Sequence, residues 1–142
     1  MADLLDTFNI AASGLTAERV RLQTIASNMA NARATRMPDG SGPYRRQVPV
    51  FEARAVDPFG TELEQAIARV DVQGIKESAE PPIQVYDPSH PDADARGYVS
   101  YPSINILQEM VDMMSANRTY EANASVVDST RTMALRALDI GK

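Results

Sequence analysis

The sequence contains no cysteine, so the chain can form no disulfide, no thiolate metal site and no thiol nucleophile. It also lacks any run of eighteen apolar residues, and so nothing in it predicts a helix that spans a bilayer. The formal net charge is −5 and the sequence pI is about 4.8. Nucleic-acid binders normally carry a basic surplus that neutralises phosphates. We therefore expect neither a membrane span nor a nucleic-acid partner.

The beginning of the chain lacks the features of a cleaved secretory signal. Met1–Asp6 is acidic where such a signal is basic, and no short apolar core with a cleavage site follows it. If the protein leaves the cytoplasm, we expect an export route that recognises a feature other than a cleaved signal peptide.

Helix-breaking residues are confined to the middle of the 142-residue chain. All nine prolines lie between Pro38 and Pro102, together with five of the seven glycines. Proline costs a helix interior about 3 kcal/mol and glycine about 1 kcal/mol. The distribution predicts an N-terminal helix in 1–32, a β-rich middle in 33–102 and a C-terminal helix in 103–142. The expected fold class is mainly α, with two long terminal helices that form a coiled-coil-like stem.

Both ends show apolar residues at alternating steps of three and four, which is the pattern of a coiled-coil seam. The first helix is predicted over Asp3–Ala32 and the second over Asn105–Leu138, with Asn105 as its cap and Gly141 as its stop. Helices of these lengths, about 45 and 50 Å, exceed the ~37 Å diameter of a globule of this size. We expect the following residues to form the helix and subunit interface: Leu15, Leu22, Ile25, Met29, Met110, Met113, Tyr120, Val127 and Leu138.

The seams contain small and polar residues, which limits how much apolar area one partner can bury. Ala12, Ala26 and Ala124 allow close approach but return little burial for each contact. We therefore predict that the terminal helices are largely unfolded in an isolated monomer and order when copies assemble.

Two seam positions carry a polar side chain where a coiled coil favours an apolar one. Asn117 and Arg131 are either solvent-facing gaps in an irregular stripe or residues that fix the register between helices. The sequence leaves both interpretations open.

Short stretches in the middle segment alternate apolar and polar residues between glycine, proline and aspartate. They predict strands of a small antiparallel sheet or of separate hairpins. The predicted strands are Gln47–Phe51, Arg69–Val72, Ile83–Tyr86 and Tyr98–Tyr101.

Two polar clusters in the middle segment could suggest chemistry. His90, the only histidine, with Asp92 and Asp94 could bind a divalent metal, but Asp-Pro and His-Pro steps more often form rigid turns, which we favour. We expect no metal and no cofactor. The second cluster is basic, and of its four arginines Arg45 and Arg46 are candidates for contact with an acidic neighbour; the alternative is a solvated loop.

Several motifs resemble those of the bacterial flagellar rod and hook proteins. IAASGLTAER at 10–19 and IASNMANA at 25–32 resemble the N-terminal signature of this family, and MSANRTYEAN at 114–123 resembles its C-terminal motif. In the middle, GPYRR at 42–46, VYDPSHPDAD at 85–94 and GYVSYP at 97–102 are similar to the proximal-rod members.

The resemblance implies a structural subunit of the basal-body rod and not an enzyme. The implied partners are copies of the chain itself, other proximal-rod proteins, the rod–ring junction protein and the distal rod. It further implies passage through the flagellar type III export apparatus without a cleaved signal, and ordering of the terminal helices in a tube that transmits torque. Two rival hypotheses are a soluble helical adaptor and a metal-dependent hydrolase that uses His90.

Overall fold

The computed structural model describes residues 2–56 and 67–140. In those residues the chain forms two long helices with four strands between them. Helix α1 spans Ala2–Ala30 and helix α2 spans Ile106–Ile140. The strands are β1 (Gln47–Ala55), β2 (Ala68–Glu77), β3 (Ile83–Tyr86) and β4 (Tyr98–Tyr101). The predicted arrangement of two terminal helices around a small β-rich middle is confirmed.

Helix α1 ends two residues before the predicted Ala32, because Asn31 closes it. The backbone N–H of Asn31 and its side-chain Nδ2 both donate to the carbonyl oxygen of Ser27, at 3.0 and 2.9 Å. One of the carbonyls left over at the helix end is thereby satisfied. No non-glycine residue among those described adopts a positive φ, so α1 does not end in a left-handed residue.

Helix α2 begins with the predicted cap. The Asn105 Oδ1 accepts hydrogen bonds from the backbone N–H groups of Leu107 and Gln108, at 3.0 and 3.3 Å. These are two of the N–H groups that have no carbonyl partner in the first turn of a helix. The helix continues to Ile140, two residues beyond the predicted end, and the predicted stop at Gly141 lies outside the described residues.

The strands pair as two separate two-stranded sheets. β3 and β4 are antiparallel, with Ile83 opposite Tyr101 and Tyr86 opposite Tyr98. In the other sheet, Gln73 bonds Glu52 and Arg54 bonds Asp71 at 3.2 Å, so positions advance along β1 as they retreat along β2. That order makes the β1–β2 pair antiparallel as well. All four strands were predicted, although β1 and β2 are longer than the alternation indicated.

The chain divides into two compact units, each assembled from separate segments. The first unit comprises the described residues of Met1–Leu22, Pro49–Gly74 and Ser115–Lys142. The second unit comprises Gln23–Val48 and Ile75–Met114. The buried residues of the second unit include Ile25, Tyr44 and Val99. Neither described helix has a stretch of eighteen residues that is apolar enough to cross a membrane.

Candidate assembly interface

The second unit contains a buried polar cluster that joins three segments distant in sequence. We name it the Asn28 clasp, formed by Asn28 near the end of α1, Tyr44 and Arg46 before β1, and Glu109 in the first turn of α2. The side chains of Asn28 and Glu109 are each 1% exposed, and Tyr44 is also buried. Buried polar groups are tolerated only when they are hydrogen-bonded, so the partners of each group decide whether the cluster stabilises the fold.

Asn28 is the centre of the clasp because its amide makes four hydrogen bonds. Its Oδ1 accepts from the backbone N–H of Gln47 at 2.8 Å and from the Tyr44 hydroxyl at 3.1 Å. Its Nδ2 donates to the Gln47 carbonyl at 2.9 Å and to Glu109 Oε2 at 3.2 Å. One side chain thus binds both polar groups of the Gln47 backbone, which fixes where β1 begins, and also holds the first turn of α2.

The Glu109 carboxylate is buried and paired. Its Oε1 accepts a hydrogen bond from Arg46 Nε at 2.7 Å, and its Oε2 accepts from Asn28. Removing one partner of such a pair leaves an uncompensated charge, at a typical cost of about 3–5 kcal/mol. Arg46, a candidate for contact with an acidic neighbour, therefore already has an acidic partner within the chain. Arg45 is exposed, so it is still a candidate for contact with an acidic neighbour.

The row of α2 that the chain buries differs from the row that hydrophobicity indicates. Between Ile106 and Asp139 the buried residues are Glu109, Ala116 and Thr130, with the half-buried Asn123 completing a seven-residue spacing. The predicted seam at 110, 117, 124 and 131 has the same spacing but lies one residue later. The buried row is small or polar.

The large apolar residues of α2 remain mostly exposed. Leu107 is 73% exposed and Leu138 is 64% exposed. Four of them, Leu107, Met110, Val111 and Met114, lie at helical spacing, and an exposed apolar row of this kind is a candidate surface for a partner. The exposed large apolar residues of α2 are Ile106, Leu107, Met110, Val111, Met114, Tyr120, Val126, Met133, Leu135 and Leu138.

The predicted interface residues occupy three kinds of environment. Ile25 is buried, whereas Met110, Tyr120 and Leu138 are exposed. The others are half-buried: Leu15, Leu22, Met29, Met113 and Val127. The two polar seam residues, Asn117 and Arg131, are exposed, and their role in register stays a prediction.

The first unit brings α1 against α2 through small side chains. A Cβ added at Gly14 would lie 2.7 Å from Asn123 Nδ2, so a larger side chain at position 14 would force the Asn123 side chain to move. Ala11 and Ala17, one turn to either side of Gly14, are buried. Earlier in α1, the larger side chains of Leu5 and Phe8 are exposed.

The loop that carries the candidate metal ligands is a hydrogen-bonded turn. His90 Nδ1 accepts the backbone N–H of Asp92, and Asp94 Oδ1 accepts those of Arg96 and Tyr98 at 2.8 and 2.9 Å. The Tyr98 N–H is the main cause that lowers the pKa of Asp94 below its ordinary value. No group of three His, Cys, Asp or Glu residues in the described part of the chain is placed to hold a metal ion. These contacts support the turn interpretation.

Sequence reasoning missed the clasp, although one signal was present. Glu109 lies three residues after Ile106 and four before Met113, so a carboxylate falls on the apolar face of the predicted helix. A charged residue in that position is rarely buried unless it is paired. Nothing in the spacing of the sequence indicates that Asn28 and Arg46 supply the partners.

Comparison with known proteins gives matches over nearly the whole chain. A sequence model of flagella basal body rod proteins matches residues 8–35, and one of the C-terminal part of the flagellar basal body rod FlgEFG proteins matches residues 95–140. The flagellar basal-body rod protein FlgC of Borreliella burgdorferi is 42% identical over 96% of this chain and 97% of its own. The proteins of that name from Escherichia coli O157:H7 and Bacillus subtilis are 42% and 38% identical, over 98% and 96% of this chain and 98% and 97% of their own.

Proposed function

This chain belongs to the FlgC family of flagellar basal-body rod proteins, and we propose that it builds its part of the rod by covering the exposed apolar rows of its helices with neighbouring subunits. It is a structural subunit of the flagellar basal-body rod, and a rod component associates with other rod proteins. The exposed apolar residues of α2 are the observation that carries the proposal, because the residues that the described chain buries on that helix are small or polar: Glu109, Ala116 and Thr130.

The energetic argument follows from which side chains are covered. Full burial of a leucine or methionine side chain stabilises by roughly 1.5–3 kcal/mol. Much of that free energy is not realised within the chain at four exposed residues that repeat at helical spacing: Leu107, Met110, Val111 and Met114. A contact with another chain can supply it. When neighbouring subunits cover these apolar side chains, the burial supplies free energy that can order the helices on assembly. The coiled-coil-like character of the stem is part of this proposal.

Membership of this family also suggests the neighbours of the subunit, its export route and its mechanical role. We propose that the neighbours are copies of the chain, other proximal-rod proteins, the rod–ring junction protein and the distal rod. We also propose export through the flagellar type III apparatus without a cleaved signal, and a mechanical role without catalysis. Many small contacts that share a load suit the transmission of torque.

Substitution of an exposed apolar residue tests the proposal without disturbing the fold. Leu138→Asp changes a side chain that is 64% exposed, so the chain should keep its own contacts but lose those with neighbours. The expected result is loss of the variant from purified basal bodies and loss of motility. Ser125→Asp, an exposed polar position on the same helix, is the matched control and should assemble. Normal incorporation of the Leu138→Asp variant would contradict the proposal.

A further inference from the structure

A cleft beside the start of α2 combines apolar walls with acidic groups. It has a volume of about 790 Å³, and its lining includes Glu80, Ile83, Leu107 and Asp112. Ile83 and Leu107 are exposed apolar side chains on its walls. The cleft therefore offers two contacts together, an apolar one and an anionic one.

The cleft carries a net negative charge, because the basic residue that lines it, Arg46, is already paired with a glutamate of the same cleft. Arg46 is bonded to Glu109, so those two charges compensate each other. Glu80 Oε2 accepts only a neutral hydrogen bond, from Ser103 Oγ at 3.1 Å. In the described part of the chain no basic side chain pairs with Glu80 or Asp112. An occupant with apolar and cationic side chains would complement this surface.

The two exposed apolar ends of the helices differ in charge, and only one fits. Residues 2–18 of α1 contain acidic residues and no lysine or arginine, so the exposed Leu5 and Phe8 lie on an anionic segment. Residues 128–139 of α2 contain two arginines between an aspartate at each end, so this segment is neutral. Within its last turn Leu135, Arg136 and Leu138 are exposed. Charge thus favours the end of α2 as the occupant.

We propose that the cleft beside the start of α2 receives residues 129–138 of α2 from a second copy of the chain, with Arg136 of that copy pairing with Asp112. This inference rests on the proposed function and specifies one of its contacts. The two surfaces of the contact are different, so each copy offers one to the copy before it and the other to the copy after it. Such a head-to-tail contact extends into an open row of subunits.

Disulfide trapping tests the contact directly, since the native chain has no cysteine. The variant carries Asp112→Cys and Arg136→Cys, positions roughly 36 Å apart along one helix, so a bond within one chain is excluded. Basal bodies that contain the variant are oxidised and run on a denaturing gel without reductant. The expected result is a ladder of bands with steps of the 15.5 kDa chain mass. Glu121→Cys with Arg136→Cys is the matched control and should give no ladder.

Charge exchange tests the pairing. Asp112→Arg alone and Arg136→Asp alone should each lower the amount of chain in basal bodies about tenfold or more, which is a modest loss for two like charges brought together. The chain with both substitutions should recover at least half of the native amount. Recovery in the double variant separates a lost contact from a misfolded chain.

Three outcomes would overturn the inference. They are a double variant no better than the single ones, basal bodies that contain the cysteine variant but give no ladder, and products in which the chain is linked only to a different rod protein. If the unsubstituted chain itself is absent from basal bodies, the proposed function fails together with this inference. The first three outcomes leave the proposed function standing.

Discussion

Replacing Asn28 with alanine should lower the free energy of unfolding of the second unit more than truncating any other side chain near the end of α1. The change removes four hydrogen bonds: two with the Gln47 backbone, one with the Tyr44 hydroxyl and one with Glu109. It also leaves the Gln47 N–H and one oxygen of the buried carboxylate without their partner.

The magnitude follows from those contacts. A hydrogen bond contributes about 1 kcal/mol net, and a buried group that loses its partner costs about 1–3 kcal/mol. The loss of four bonds in one network, with partial entry of water, gives an expected destabilisation of about 3–5 kcal/mol. Since a small unit has a urea slope near 1 kcal/mol per molar, the midpoint should fall by about 3 M or the transition should disappear.

The chain carries a built-in probe for this unit. Of its five tyrosines, Tyr44, Tyr86, Tyr98 and Tyr101 lie in the second unit and only Tyr120 lies outside it, and the chain has no tryptophan. Near-ultraviolet circular dichroism of the purified chain during a urea titration therefore reports mainly on the second unit, which includes the end of α1 and the start of α2.

Asn31→Ala is the matched control. Asn31 is the same residue type three positions later, and its amide bonds only the Ser27 carbonyl, at 2.9 Å. Its replacement should cost about 1 kcal/mol. If the two variants have midpoints that agree within the error of the titration, the clasp does not hold the second unit together and the argument is wrong.

Three other predictions concern the helix contact, the monomer and the turn. Gly14→Leu should prevent incorporation into basal bodies because its side chain would collide with Asn123, whereas adding Asn123→Gly should restore part of it. The purified chain should show low helicity in far-ultraviolet circular dichroism, and a helix-rich monomer that melts cooperatively would refute ordering on assembly. Asp94 should titrate below its ordinary pKa of 3.8 by carboxyl NMR. Because the folded turn lowers the pKa of Asp94, the ionised carboxylate stabilises the turn above pH 3.8, and this stabilisation is lost as the pH falls through the lowered pKa. Asp94→Asn should remove this pH dependence of stability.

The elements of the fold could be predicted from the sequence because they follow from local chemistry. Proline and glycine confine the helices to the ends. Pro82 and Asp87 limit the alternation that predicts β3, and Gly97 and Pro102 limit the one that predicts β4. Gly97 has a φ of 83°, and a Cβ there would lie 2.9 Å from the Tyr86 ring, so glycine is required at this position. Asn105 was predictable as a cap for the same local reason.

The choice of buried row could not be predicted from the sequence. Hydrophobicity identifies the oily side chains, such as Met110 and Leu138, but covering them requires a partner that the sequence of one chain does not contain. Within the chain, close approach is decided by the smallest side chains, and Gly14 against Asn123 is the clearest case. The buried row of α2 accordingly lies one residue before the predicted one.

The pairing in the clasp is beyond local patterns for a different reason. Glu109 finds its partners 81 and 63 positions earlier in the chain, at Asn28 and Arg46. No periodicity links such distant residues, and only the folded chain brings them together. From the sequence, the basic loop is therefore either a contact with a neighbour or a solvated loop, whereas one of its arginines, Arg46, has a partner inside the chain.

Strand β3 has a consequence for the life of a newly made copy. All four of its residues are exposed, and Ile83, Val85 and Tyr86 combine oily character with a high tendency to pair with further strands. Copies that have not been incorporated expose this strand to one another, and its length of only four residues limits how strongly they can associate through it.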